Sequence, residues 1–206
     1  MFFVVILTVS VLNLSKRRMK VEIVPYQEEW PLQFQALGKQ LKAALGTYAV
    51  AIHHIGSTSI PGLQAKAIID IQVTVDTLHP NIAERLAEAG ALISPVNLSD
   101  HRPPGTDIPN EELQKMFFRY AEPRANIHVR ENGRFNQRYA LLIRDYLRQH
   151  PRVANAYGEF KVRLSRAFPN DPDGYVDIKD PVFDIIMEGA NAWAKESGWK
   201  VPGSDI

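Results

Sequence analysis

The stretch Ile68-Ile69-Asp70-Ile71-Gln72-Val73-Thr74-Val75 constrains this chain more than any other. It is short and mostly β-branched, which predicts a β-strand. Asp70 and Gln72 are two apart, so they share one face of the sheet. Ile69, Ile71 and Val73 share the other face and join the core. A charged Asp inside an apolar strand is costly to bury unpaired, so it should meet a cation, a hydrogen-bond donor or open space.

A second informative segment lies just upstream, His54-Ile55-Gly56-Ser57-Thr58-Ser59-Ile60-Pro61-Gly62-Leu63. It follows a β-branched and aromatic run over residues 48–55 that predicts a strand. Glycine and serine at such a turn let backbone N–H groups and a hydroxyl approach an anion, and a helix starting there would add its positive dipole end. An ordinary tight turn with a helix cap uses the same residues. Thr58 and Ser59 either add hydroxyls or cap. His53 and His54 point to opposite faces of their strand, and His54 is the better placed for a site.

The remaining elements follow from periodicity. Residues 21–24 alternate and predict a short strand. Trp30, Phe34, Leu37, Leu41 and Leu45 are spaced as one face of a helix, with Pro31 in its first turn and Gly46 just past its end. Residues 81–89 predict a short helix and 91–93 a further strand. The proline-rich segment 94–113 is a long loop, functional or mobile. Residues 116–120 and 125–130 read as an antiparallel pair. The last third is helical. One helix is marked by Tyr139, Leu142, Ile143 and Leu147. A second follows Pro151, with Tyr157, Phe160 and Leu164 as core. A third is capped by Asp180 with Pro181 in its first turn. The pattern lacks the βα alternation of a doubly wound sheet. It predicts an α/β (α+β) fold, a small mixed sheet flanked by helices, with a helical C-terminal third.

Residues 1–18 read as an apolar leader outside the fold, and Met19 as the natural start. The positive charges Lys16, Arg17 and Arg18 follow the apolar run, whereas a secretory signal has them before it. The run is also shorter than the roughly 20 residues of a membrane span. The other reading of this segment is a weak membrane anchor. Residues 19–200 are expected to form a single domain and 201–206 a flexible tail. The chain carries 24 Lys and Arg against 23 Asp and Glu, a net charge of +1. A duplex nucleic-acid partner, which demands a basic excess, is not expected. With no cysteine, disulfides and thiolate metal sites are excluded and a cytoplasmic location is expected. No membrane association is expected unless the leader is real, and the oligomeric state is left open.

The Gly56-Ser57 pair, a spacer of about a dozen residues, then Asp70 in an apolar strand resembles the nucleotidyltransferase superfamily motif. The wording Gly56-Ser57-Thr58-Ser59-Ile60-Pro61-Gly62 with Lys66 resembles the GrpB family in particular. So do Val21-Glu22-Ile23-Val24-Pro25-Tyr26, Asn126-Ile127-His128-Val129 and Arg144-Asp145-Tyr146-Leu147-Arg148. Tyr175 and Lys179 also match family positions. The likeness runs from about residue 20 to 197. Some members of that family are fused to a coenzyme A biosynthesis kinase.

The resemblance implies a Gly-Ser turn that holds nucleotide phosphates and strand carboxylates that hold magnesium. Here Gln72 stands where a second carboxylate is expected, and His128 is the best-placed residue where a third is expected. An amide offers a carbonyl oxygen but no charge. The resemblance therefore implies Asp70 and His128 as catalytic groups, and Asp70 with Gln72 as ligands for Mg2+ or Mn2+. Gly56, Ser57, Thr58 and Ser59, with Lys66, Arg119, Arg144 and Lys161, are the implied phosphate contacts. Arg144 and Arg148 have a plainer reading as a solvated helix face. The function expected is transfer of a nucleotidyl or phosphoryl group from a nucleoside triphosphate to a small acceptor. The alternative is a non-catalytic module that binds a nucleotide or a phosphorylated metabolite, with a link to coenzyme A metabolism.

Overall fold

The computed structural model describes residues 20–206. The readings of residues 1–18 as a leader and of Met19 as the start lie outside them. Helix α1 spans Glu29–Leu45, and its predicted stripe of Trp30, Phe34, Leu37, Leu41 and Leu45 is buried. A single 3-10 turn follows, so strand β1 is shorter than expected and spans Ala51–Ile55. β2 spans Ile69–Val75, α2 Pro80–Glu88 and β3 Leu92–Ile93. β4 is Met116–Tyr120 and β5 is Ala125–Glu131. Three helices complete the chain, α3 Phe135–Gln149, α4 Pro151–Ala167 and α5 Pro172–Ser197.

The five strands form one mixed sheet in the order β1-β2-β5-β4-β3. β2 runs antiparallel to β1 and parallel to β5, pairing Asp70 with Asn126 and Gln72 with His128. The two faces differ in kind. Ile69, Ile71 and Val73 pack with Leu41, Leu45 and Ile127 in one core under α1 and α2. Each such fully buried side chain contributes about 1.5–3 kcal/mol. Side chains of the opposite face alternate with these, and there the strands carry Asp70, Gln72, Asn126, His128 and Arg130. A second core, built from α3, α4 and α5 with Ile60 and Leu63, stands on that side. The site lies between this core and the polar face.

Three local readings are corrected by tertiary contacts. Residues 21–24 contribute only an isolated bridge from Val24 to Ala65 rather than a strand. The last helix begins at Pro172, where Asp171 caps it by accepting from the Gly174 amide at 3.0 Å. Asp180 is therefore inside the helix, paired with Lys179. Asp-Pro occurs at both places, and the earlier one starts the helix because Tyr175 has a buried position to fill.

The third correction concerns residues 201–206, expected to be a flexible tail. β1 is an edge strand, and its outward backbone groups need partners. Ser204 Oγ accepts from the Ile52 amide at 2.9 Å, and the Asp205 amide donates to Ile52 O at 2.9 Å. The Asp205 carboxylate accepts from the His54 amide at 2.9 Å. Ile206 fills the notch left by Gly38, where a Cβ would come within 2.6 Å of it. Among the described residues no helix is long and apolar enough to cross a membrane.

Candidate functional site

The chain reverses between β1 and β2 through Gly56 and one 3-10 turn, Ser57–Ser59. Gly56 has φ +68° and ψ −172°, a conformation open essentially to glycine alone. A Cβ there would lie 2.4 Å from Asp70 Oδ2. The turn is therefore pressed directly against the strand carboxylate. Ser57, Lys66, Asp70, His128 and Lys161 line one cavity of about 420 Å3, within the size range of small-molecule sites.

Asp70 is partly open to this cavity. Its Oδ1 accepts from Asn126 Nδ2 at 2.9 Å and lies 3.9 Å from His128 Nε2. Burial by itself raises its pKa, but His128, Asn126 and Lys66 outweigh that and hold the carboxyl below its ordinary value. Lys161 is buried and donates to Ser57 Oγ at 2.8 Å and to Gln64 O. Burial first, and then Lys179, pull its pKa down to about 7. Lys66 is lowered for the same two reasons and sits 5.1 Å over the Tyr175 ring.

Gln72 is fully buried and does not line the cavity. Its Oε1 accepts from Arg130 Nη1 at 2.6 Å, and its Nε2 donates to Gln137 O at 3.1 Å. The expected role as a metal ligand is not supported, because the carbonyl oxygen is already taken. The arrangement also explains the amide. It meets a donor with oxygen and a carbonyl with nitrogen, and a carboxylate would oppose Gln137 O with lone pairs.

Arg130 fixes His128 as well. Its Nη2 lies 3.4 Å from His128 Nδ1, and a guanidinium only donates, so Nδ1 accepts and the ring proton sits on Nε2 facing Asp70. Burial, helped by Arg130 and Lys115, lowers the imidazole to about 4 against the pull of Asp70. His128 is thus a neutral N–H donor near Asp70, with no free lone pair for a metal.

The other expected phosphate contacts divide. Thr58 Oγ1 donates to Ile68 O at 3.3 Å and lies 3.1 Å from His54 Nε2, and Ser59 Oγ donates to Gly56 O at 2.6 Å. Both hydroxyls brace the turn. Arg144 is buried away from the cavity and joins β1 to the C-terminal segment, donating to His54 O at 3.1 Å and Asp205 Oδ2 at 2.8 Å. Arg119 shares the polar face, yet it is exposed over the Phe117 ring and outside the cavity. Geometry removes Ser59, Arg119 and Arg144 from the set because other groups or solvent claim them. His54 is a core residue, stacked on Phe34 at 4.7 Å.

Sequence patterns did not point to several residues at the site. Asp100 accepts two bonds from Arg130, at 2.8 and 3.0 Å, one from Asn136 Nδ2 at 3.0 Å, and one from Lys115. Buried Arg130 and Lys115 hold its carboxyl well below the usual carboxylate range despite desolvation. Arg130, two residues after His128 in an apolar strand, was the signal for this cluster. Asp180 and Tyr157, read from the sequence as a cap and a core residue, also line the cavity, as does Lys179, which the sequence matches to a family position without a role. Among the described residues no group of three or more His, Asp or Glu could hold a metal ion. The two-metal clamp needs several bridging carboxylates, and among the described residues Asp70 is the one carboxylate beside the turn. The residues present do not fit it.

A mixed sheet whose second strand carries Asp70 against a Gly-Ser turn defines a nucleotidyltransferase-like domain. Comparison with known proteins narrows this. The family described as GrpB protein matches residues 20–189. The crystal structure of GrpB from Enterococcus faecalis superposes with a TM-score of 0.67 at 25% identity, covering 84% of this chain and 99% of that one. UPF0157 protein YqkA of Bacillus subtilis is 32% identical over 92% of this chain. A dephospho-CoA kinase of Mycolicibacterium paratuberculosis is 32% identical over 91% of this chain. The chain spans about half the length of these two relatives, 52% and 51%. It covers 69% of UPF0157 protein PA4798 of Pseudomonas aeruginosa, also at 32% identity. The chain belongs to the GrpB family.

Proposed function

We propose that the cavity binds a nucleotide or another phosphorylated metabolite. One observation carries this reading: the Gly56-Ser57 turn, Asp70, Lys66 and Lys161 open onto a single cavity. A hydroxyl and two ammonium groups there suit phosphate oxygens. Binding without turnover is favoured because Gln72 and His128, which stand where further metal ligands were expected, are both held by Arg130. The dephospho-CoA kinase names of some relatives make coenzyme A precursors sensible compounds to test.

A second reading keeps the transfer of a nucleotidyl or phosphoryl group from a nucleoside triphosphate to a small acceptor. It draws on Asp70, an ionised carboxylate open to the cavity beside Ser57. Thermal-shift screening against nucleotides and coenzyme A precursors, with and without Mg2+ or Mn2+, tests the first reading. A ligand at a hundredfold excess over Kd adds about 2.7 kcal/mol of stability. If no phosphorylated compound stabilises the protein, the proposal is wrong. If radiolabel from a triphosphate appears in an acceptor, and Asp70→Asn abolishes that transfer, the second reading replaces the first.

A further inference from the structure

Building on the phosphate-pocket reading, we infer that the cavity holds a terminal phosphate monoester through Lys66, Lys161, Lys179 and the Tyr157 hydroxyl, with no divalent metal between ligand and protein. The fold family suggests metal-bridged phosphates, and the residues of this site depart from that arrangement.

Three ammonium groups reach the cavity from three different elements. Lys66 comes from the segment before β2, Lys161 from α4 and Lys179 from α5. Each lies against an aromatic ring, at 5.1 Å from Tyr175, 4.6 Å from Tyr157 and 4.5 Å from Phe183. The rings restrict where the ammonium groups go and exclude water around them. Three carboxylates of the cavity wall, Asp70, Asp100 and Asp180, stand among these cations, and Asp100 is taken up by Arg130 and Lys115. Asp180 is paired with Lys179, and one Asp70 oxygen is engaged by Asn126. A divalent cation entering here would meet the ammonium groups of Lys66 and Lys161, which no carboxylate among the described residues pairs, and one free carboxylate oxygen of Asp70. A phosphate dianion would meet the opposite.

Tyr157 supplies the independent observation. It is 3% exposed, lines the cavity, and its hydroxyl is buried with no hydrogen-bond partner. Buried polar groups are almost always paired, and one left over asks for a ligand. Burial, reinforced by Tyr175 and only partly opposed by the nearby Ser57 hydroxyl, which lies outside hydrogen-bonding geometry, keeps the phenol protonated, so it offers a donor. A phosphate oxygen is the acceptor such a group needs. Lys161 fits the same picture, since its proton, weakly held in these surroundings, is secured when a dianion arrives.

Isothermal titration of the full chain with adenosine 5′-monophosphate and with inorganic phosphate tests this, first in EDTA and then in excess MgCl2 or MnCl2. Binding is expected in EDTA, with Kd changed by less than about threefold on adding metal. Tyr157→Phe removes only an unpaired hydroxyl, so its urea midpoint should match or exceed the wild type. Its affinity should fall about tenfold, the effect of one hydrogen bond to a charged acceptor. Lys179→Gln, at a half-buried member of the triad, should weaken binding comparably. Wild-type affinity in Tyr157→Phe, or binding that requires Mg2+ or Mn2+, overturns the inference while leaving the phosphate pocket standing. Failure of both probes under every metal condition overturns the inference and counts against the pocket as well.

Discussion

Replacing Gly56 by Ala tests whether the Gly-Ser turn is shaped by the carboxylate beneath it. Two terms add. The first is conformational, because φ +68° with ψ −172° is a glycine region that costs other residues about 1–3 kcal/mol. The second is steric. The new methyl would sit 2.4 Å from Asp70 Oδ2 and 2.8 Å from its Cβ. Asp70 must then swing away from Asn126, giving up a charge-assisted bond of 2.9 Å worth about 1.5–3 kcal/mol. The expected loss is about 3–5 kcal/mol. Gly62→Ala isolates the first term, since Gly62 has φ +77° but nothing within 4 Å of the place its new methyl would take. Its cost should be about 1–2 kcal/mol. Urea unfolding followed by circular dichroism measures both. A gap of about 2 kcal/mol between the variants, or roughly 4–8 °C in Tm, is the expected result. Equal losses would show that Asp70 does not press on the turn, and the close packing of turn and carboxylate would be refuted.

Stability should also depend on pH in a defined direction. Burial pulls His54 down to about 4, with Arg148 and Arg144 assisting and Asp70 and Asp205 opposing. Between about 4 and 6.5 the unfolded chain holds a proton that the folded chain lacks, so stability is full above 6.5 and declines as pH falls. The decline attributable to His54 is about 3 kcal/mol, and a flat series of urea midpoints from pH 7 to 4.5 would contradict it. Asp100→Asn should destabilise by about 3–5 kcal/mol, because Arg130 and Lys115 are left buried without their counter-ion. Adding Arg130→Met should recover part of that loss in chemical denaturation, and no recovery would refute the pairing.

The parts of the site near one another in sequence were legible. Ser57 and Asp70 are joined by one short connection between paired strands, so a Gly-Ser turn followed by a polar strand residue already implied proximity. The period-two pattern of β2 likewise separated Ile71 from Asp70. Residues 144 and 161 show where legibility ended. Both are basic residues within helices, and nothing in their spacing distinguishes them. Lys161 meets Ser57, whereas Arg144 meets Asp205, because the helices that carry them dock at different places against β1 and its turn. Gln72 read as a weakened metal ligand because its partner Arg130 lies 58 positions away.

Periodicity and turn chemistry act over a few residues, so the sequence by itself determined most strands and helices, the apolar face of β2 and the lone carboxylate beside the turn. Which polar groups remain available to a ligand was decided by tertiary structure. A hydrogen bond forms only when its atoms come within about 3 Å, and that depends on where distant segments dock. Asp100 claims Arg130, Arg130 claims Gln72 and His128, and Asp205 claims Arg144. Lys66, Lys161, Asp70 and Tyr157 are among the groups this pairing leaves to face the cavity.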